Sequence, residues 1–286
     1  MILLEGKTLS TLEKERIRNE IRKEKGRINL TVILVGEDPS SKVYVSSKEK
    51  ACQELGIDSR IIRLPESTTT EELINIIKDL NSNNTVNGIL VQIPLPGHIN
   101  EEEVLESIDP SKDVDCLHPY NMGRLLIGKP VVEPCTPKGI IKMLDHFNIS
   151  IEKKKAVVIG RSNIVGKPIA LMLMHRNATV TICHSKTQNL EREIQSADIV
   201  VAAIGKPLFV KDSMIKEGTI VIDVGITRME DKANEKGYRL VGDVDFEAVS
   251  KKASAITPVP GGVGAMTIAM LMDNVIRLYR LQKERK

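Results

Sequence analysis

The sequence of 286 residues has no tryptophan, and its few Tyr and Phe residues bring the aromatic share to only 2%. Aliphatic side chains must therefore fill the core, and little is left to build a stacking surface for nucleic acid. Cysteine is scarce as well. Cys52, Cys116, Cys135 and Cys183 form no C-x-x-C pair and have no histidines at zinc spacing, so no metal site is expected. They read as reduced thiols of a cytoplasmic protein, with Cys183 in the core. No apolar run is long enough to span a bilayer. Glu5 and Lys7 fall within the first seven residues and do not fit a secretory signal. Charge of one sign is also lacking: the net charge is +3, and Lys and Arg are spread along the chain. That pattern describes a mixed solvated surface, so neither nucleic acid nor a membrane is expected as a partner.

What is present is a 41% hydrophobic share, enough for a buried core, beside 28% charged residues. Short β-branched runs alternate with helical patterns. Residues 29–35, 59–64 and 88–93 read as strands, and 40–55 and 70–80 as helices, the second capped by Thr70. Six prolines loosen the pattern over residues 94–136. Thr136 then reads as an N-cap, with Pro137 at the first position of a helix reaching about Phe147. A second alternation follows, with strands at 156–159, 179–183, 199–202, 219–224 and 253–256. Helices are expected at 165–175 and 190–196, and a long amphipathic one over 265–283. Continuous apolar strands separated by helices predict parallel sheets in an α/β protein of two domains.

One junction bears on cofactor chemistry. The apolar strand 156–159 runs into Gly160-Arg161-Ser162-Asn163-Ile164-Val165-Gly166 and then a helix. Such a turn offers backbone N–H groups and a helix N-terminus to a phosphate, although the spacing is not G-x-G-x-x-G and a bare strand-to-helix turn fits equally well. The next strand ends in His184-Ser185-Lys186-Thr187. An NAD-binding fold usually places an acid there for the ribose hydroxyls; hydroxyls and a lysine instead suit a 2′-phosphate, with Arg161 a second candidate for it. NADP is therefore expected over NAD.

A second set of residues lies at strand exits of the first half. Tyr44 and Lys48 are four residues apart and share a helix face. A lysine just beyond a strand's carboxyl end suits proton transfer, while a surface lysine resting on a tyrosine ring would give the same spacing. Gln92 precedes Pro94 and Pro96, which stop and stiffen the strand exit. Asp115 could accept two hydrogen bonds from an amidine-like ring edge, or form an Asx turn.

Taken in order, Tyr44-Val-Ser-Ser-Lys48, Gln92-Ile-Pro-Leu-Pro96, Lys112-Asp-Val-Asp115, Pro119 to Leu125, Pro134 to Gly139, Gly160 to Gly166, Cys183 to Thr187, Gly242-Asp243-Val244 and Thr257 to Gly264 resemble the bifunctional methylenetetrahydrofolate dehydrogenase/cyclohydrolase family over nearly the whole chain. The resemblance implies a folate-binding catalytic domain over residues 1–135 and a Rossmann-type NADP domain over 136–264. It places the active-site cleft between them and packs the C-terminal helix 265–286 back on the first domain. It further implies that Tyr44 stacks on the folate, that Lys48, helped by Gln92, serves the cyclohydrolase step, and that Asp115 binds the pterin. Pro94, Pro260, Gly261 and Gly262 would complete the substrate side. Gly160, Arg161, Ser162, Ser185 and Ile226 would hold NADP. The partners implied are tetrahydrofolate derivatives and a second copy of the chain in a homodimer. Cys116 stands where the family often has Gly, and Ala265 where Pro is common. A dehydrogenase of another substrate class would explain the Gly160 loop but not the residues at the first-half strand exits; a dinucleotide-sensing module would leave the first half without a task.

Overall fold

The computed structural model describes residues 1–231 and 237–284. In chain order the elements are β1 (Ile2–Leu3), α1 (Gly6–Ile21), β2 (Asn29–Val35), α2 (Pro39–Leu55), β3 (Asp58–Leu64), α3 (Thr70–Ser82), β4 (Gly88–Val91), α4 (Glu101–Glu106), α5 (Pro119–Leu126) and α6 (Cys135–His146). There follow β5 (Lys155–Ile159), α7 (Gly166–His175), β6 (Thr179–Cys183), α8 (Leu190–Gln195), β7 (Ile199–Ala202), a 3-10 turn at Asp212–Met214 and β8 (Ile220–Asp223). The chain continues with β9 (Thr227–Glu230), β10 (Tyr238–Val241), α9 (Phe246–Val249), β11 (Ala255–Ile256) and α10 (Val263–Glu284).

Two compact units emerge. One comprises Leu12–Cys135 together with Ile268 onward; the other comprises Met1–Thr11 with Thr136–Thr267. The first is built on a parallel sheet of order β3-β2-β4. β2 lies at its centre and is buried from Leu30 to Val35, as a strand covered on both faces must be. Its Ile33 and Val35 join Leu73, Ile77 and Leu80 of α3 and Ile89 and Val91 of β4 in one apolar cluster. The second unit carries a parallel sheet of order β1-β11-β8-β7-β5-β6. The pair β9 and β10 forms a separate antiparallel ladder. Both principal sheets are parallel, so the α/β class and the two-domain plan hold. No helix among the described residues is long and apolar enough to cross a membrane.

Several local expectations shift. Thr69, not Thr70, caps α3: its hydroxyl accepts from Glu72 N, and Glu72 returns a bond to Thr69 N, forming a capping box. Three consecutive threonines made the choice ambiguous, and the glutamate three residues on decides it. Helix α6 begins at Cys135, so Thr136 is not its N-cap; the Thr136 hydroxyl instead meets that of Thr267 at 3.0 Å. Strand β4 stops at Val91, leaving Gln92 as the first residue past the ladder. Helix α1, strand β1 and the β9–β10 ladder had no counterpart among the expected elements. β1 joins the second unit by pairing with β11 some 250 residues away, and two residues carry no periodicity to read.

All four cysteines are buried thiols. Burial pushes the Cys52 thiol up to about 12, which leaves it protonated and inert. Cys116 adopts φ 60°, in the left-handed region, which accounts for glycine being common there in the resembled family; its Sγ donates to the Val132 carbonyl. Lys112 is buried, and its Nζ donates to the carbonyls of Leu80, Asn81 and Asn83 at 2.9, 2.7 and 2.8 Å. It thus closes the C-terminal end of α3, where helix carbonyls have no intrahelical partner and a cation is favoured. Lys112→Met keeps the apolar stem and removes the donors, leaving buried carbonyls unmet. A loss of roughly 2–3 kcal/mol is expected, read as a lowered urea midpoint; a midpoint equal to wild type would contradict this role.

Candidate active site

In a parallel sheet every strand leaves at the same edge, and side chains carried by distant segments collect there. In the first unit, β2 leads into α2 through Asp38, whose carboxylate accepts from Ser41 N at 2.7 Å and caps the helix, with Pro39 in its first turn. The first turns of α2 therefore stand at the sheet's carboxyl edge and carry Tyr44, 43% exposed, and Lys48, half-buried one turn later. Strand β4 ends at the same edge, and Gln92 follows it, buried. Lys48 Nζ donates to Gln92 Oε1 at 2.9 Å, and Gln92 Nε2 donates to the Ile93 carbonyl at 2.7 Å. The second bond fixes the amide with its oxygen toward the ammonium. Pro94 follows, exposed, across a cis peptide bond.

Asp115 reaches the same edge by another route. A parallel bridge joins Ile89 of β4 to Asp113, so the 113–115 segment leaves beside β4. Asp113 is buried, and its carboxylate accepts from Leu117 N, His118 N and Asn121 Nδ2 at 3.1, 2.9 and 2.9 Å. Burial raises its carboxyl above the usual range against the pull of those bonds. Asn274 of α10, fully buried, donates to the carbonyls of Val114 and Glu133. Asp115 between these anchors stays half-exposed, with one oxygen accepting from the Cys135 thiol at 3.3 Å. The amine, the amide and the carboxylate thus gather at one end of a single sheet. Lys48 and Gln92 touch directly; Asp115 is held independently of them.

The cofactor candidates lie in the second unit. Gly160 has φ +120°, and a Cβ there would stand 2.2 Å from the Ala203 carbonyl oxygen, so only glycine lets β5 and β7 exits run this close. Ser162 Oγ accepts from Val165 N and Gly166 N at 3.2 and 3.3 Å, steadying the start of α7. Gly160, Arg161, Ser162 and Ser185 all line one pocket of about 330 Å³, with His184, Ile204 and Lys206. The cations there, Arg161 and Lys206, and the absence of any acid among the lining residues suit a phosphorylated ribose. Ile226 does not line that pocket. It is 42% exposed just beyond β8, close to Gly264. Pro260, Gly261 and Gly262 belong to this unit too, and the Gly261 carbonyl accepts from Gly6 N and Lys7 N at 2.9 and 3.0 Å, at the N-terminus of α1.

Two buried carboxylates escaped the sequence reading. Asp223 ends the apolar run of β8, and Asp243 sits in the Gly242-Asp243-Val244 motif that had no role assigned. They are 3% and 0% exposed. The signal for Asp223 was a charge closing an otherwise aliphatic strand. Asp223 accepts from Gly225 N and Asp243 N through Oδ1, and from Val244 N through Oδ2, at 3.0, 2.8 and 3.0 Å. Burial pushes its carboxyl up to about 7, with the Asp243 charge adding to the rise and the N–H bonds opposing it.

Two family descriptions match the chain: "Tetrahydrofolate dehydrogenase/cyclohydrolase, catalytic domain" over residues 4–115 and "Tetrahydrofolate dehydrogenase/cyclohydrolase, NAD(P)-binding domain" over residues 134–283. The chain is 55% identical over 287 aligned positions to the bifunctional protein FolD of Acetivibrio thermocellus, covering 99% of each chain. Among solved structures it resembles the bifunctional FolD methylenetetrahydrofolate dehydrogenase/cyclohydrolase of Campylobacter jejuni, with 49% identity, a TM-score of 0.92 and all of both chains covered. It also resembles the Trypanosoma brucei enzyme complexed with NADP and an inhibitor, with 37% identity, a TM-score of 0.95, and 100% of this chain and 99% of that one covered.

The Asp223 carboxyl makes stability depend on pH in a stated direction. Between about pH 4, the ordinary carboxylate value, and about 7 the folded chain keeps a proton that the unfolded chain releases. The stabilisation from that proton is complete below the lower value and is lost as pH rises through the upper one. Relative to Asp223→Asn, the wild type should lose roughly 1 kcal/mol between pH 6 and pH 8. Urea midpoints of both proteins across this range measure it; parallel profiles would rule the assignment out.

Proposed function

The chain belongs to the tetrahydrofolate dehydrogenase/cyclohydrolase family, and on that footing we propose how its residues divide the work. The protein is an NADP-dependent methylenetetrahydrofolate dehydrogenase and methenyltetrahydrofolate cyclohydrolase. In the first reaction a hydride leaves the methylene carbon between two folate nitrogens for C4 of the nicotinamide. The nitrogen lone pairs stabilise the methenyl cation that results, so this step needs no general base. Its demand is alignment of donor and acceptor carbons. NADP, when bound, supplies the hydride acceptor. Gly160, Arg161, Ser162 and Ser185 hold its phosphorylated ribose, and Ile226, Pro260, Gly261 and Gly262 complete the ligand contacts of the second unit.

In the second reaction water adds to the methenyl carbon and loses a proton. The bond to one ring nitrogen then breaks: that nitrogen gains a proton, and the hydroxyl loses one as it becomes the formyl carbonyl, so one proton is released overall. These transfers need a group that can give and take protons beside the reacting carbon. Lys48 fills that role. The observation that carries this reading is the 2.9 Å bond from its Nζ to Gln92 Oε1, which aims the amine while the amide is itself tied to the backbone. Tyr44, one turn before it and exposed, offers a ring for the folate to stack on. Asp115 accepts from the amidine-like edge of the pterin, and Pro94 borders the same exit. Family resemblance also supports a homodimer in the cytoplasm; light scattering should return twice the chain mass, and a monomer mass would reject the dimer.

Lys48→Ala should lower hydrolysis of methenyltetrahydrofolate by at least about 100-fold and leave part of the dehydrogenase rate. Wild-type hydrolysis in this variant would strip Lys48 of its role. Asp115→Ala should raise KM for folate by roughly tenfold, the loss of about 1.4 kcal/mol of binding; an unchanged KM would reject the pterin contact.

A further inference from the structure

Asp223 and Asp243 are carboxylates buried in the second unit, and the hydrogen bonds they accept come from backbone N–H groups. Burying two carboxyl groups side by side costs stability, whether both are charged or one keeps its proton, so the arrangement must be judged by what it holds. Asp243 Oδ2 accepts from Ile204 N at 2.7 Å and from Gly205 N at 3.0 Å. These residues form the exit of β7, and Ile204 lines the pocket that contains Gly160, Arg161, Ser162 and Ser185. Asp223 grips Gly225 N at the exit of β8, one residue before Ile226, and also Asp243 N and Val244 N. Its own backbone N donates to Thr257 Oγ1 at 2.7 Å, and Thr257 opens the Thr257 to Gly262 loop after β11. The exits of β7 and β8 are thus tied to two carboxylate side chains, and the β11 exit to the Asp223 backbone.

The fit around the pair is tight. A Cβ on Gly225 would stand 2.3 Å from Asp243 Oδ1, so glycine is needed for the backbone to pass the carboxylate. That oxygen is buried and has no hydrogen-bond partner among the described residues. An unmet buried oxygen is costly, and the bonds that hold this carboxylate in place are those its other oxygen accepts from Ile204 N and Gly205 N.

We infer that Asp243 and Asp223 are positioning residues for the dehydrogenase reaction: through backbone N–H groups they set the β7 and β8 exits against which the dinucleotide lies, without touching the dinucleotide themselves. This rests on the reading of the Gly160 pocket as the NADP site. A stability role alone would weaken both activities together. A positioning role acts on the dinucleotide reaction and spares the hydrolysis carried by Lys48, which is in the other unit and uses no NADP.

The experiment uses the full chain and three variants, Asp243→Ala, Gly225→Ala and Arg161→Ala. For each, KM for NADP, KM for methylenetetrahydrofolate and NADP-free hydrolysis of methenyltetrahydrofolate are measured. Asp243→Ala and Gly225→Ala should each raise KM for NADP by roughly tenfold or more, with the folate KM and the hydrolysis rate at wild-type values. Gly225→Ala keeps both carboxylates and displaces one, so it decides the matter if Asp243→Ala fails to fold. Arg161→Ala tests the pocket itself. An unchanged NADP KM in that variant removes the pocket reading and the inference with it. A raised KM there, with wild-type values in the other two, overturns the inference alone. Parallel loss of hydrolysis in both Asp243→Ala and Gly225→Ala would also overturn it, by reducing the pair to a stability element.

Discussion

The constraint behind everything described is that parallel strands can be joined only by crossovers. Each crossover, most often a helix, returns the chain to the starting edge, so all the strand exits of a sheet fall at the opposite edge. The first unit uses this to bring a helix-borne amine, an amide just past a ladder and a carboxylate from a bridged segment to one end of β2 and β4. The second unit uses the same rule to place a glycine turn, a hydroxyl-rich strand end and the β7 exit around one pocket. Neither collection needs its residues to be near one another in sequence.

What fixes these groups is a layer of buried polar chemistry behind them. Gln92 is tied by its own amide before it receives Lys48. Asp113 and Asn274 clamp the backbone on either side of Asp115. Lys112 closes the end of α3. Each is a polar side chain shut away from water, and each is tolerated because its hydrogen-bonding capacity is largely met by backbone. Loops at the carboxyl edge have no ladder to hold them, and these side chains stand in for one.

The sequence made the strands and most helices legible, because β2, β5 and β7 are runs of β-branched residues and α3 has a clear apolar stripe. Gln92 and Gly160 were legible for the same reason, each sitting where a readable strand stops, and Tyr44 and Lys48 by their four-residue spacing on α2. Pairings across hundreds of residues were not. Nothing local in Ile2-Leu3 announces β11, and nothing in Gly242-Asp243-Val244 says that its carboxylate reaches the backbone after β7. Helix α1 has an apolar spacing diluted by Lys, Glu and Arg, so its pattern was weak. Cap positions slipped by one residue where neighbours of the same type competed, as with Thr69 and Thr70.

The interleaving of the two units bears on how the molecule is made. Neither is encoded by an uninterrupted stretch: one borrows Met1–Thr11 from the start of the chain, and the other waits for Ile268 onward from its end. On the ribosome, Ile2 and Leu3 emerge long before Ala255 and Ile256 and cannot pair until those have been synthesised. Asn274 arrives later still to lock the segment bearing Asp115. Such long loop closures slow folding, and the first unit stays incomplete until the last helix has been made.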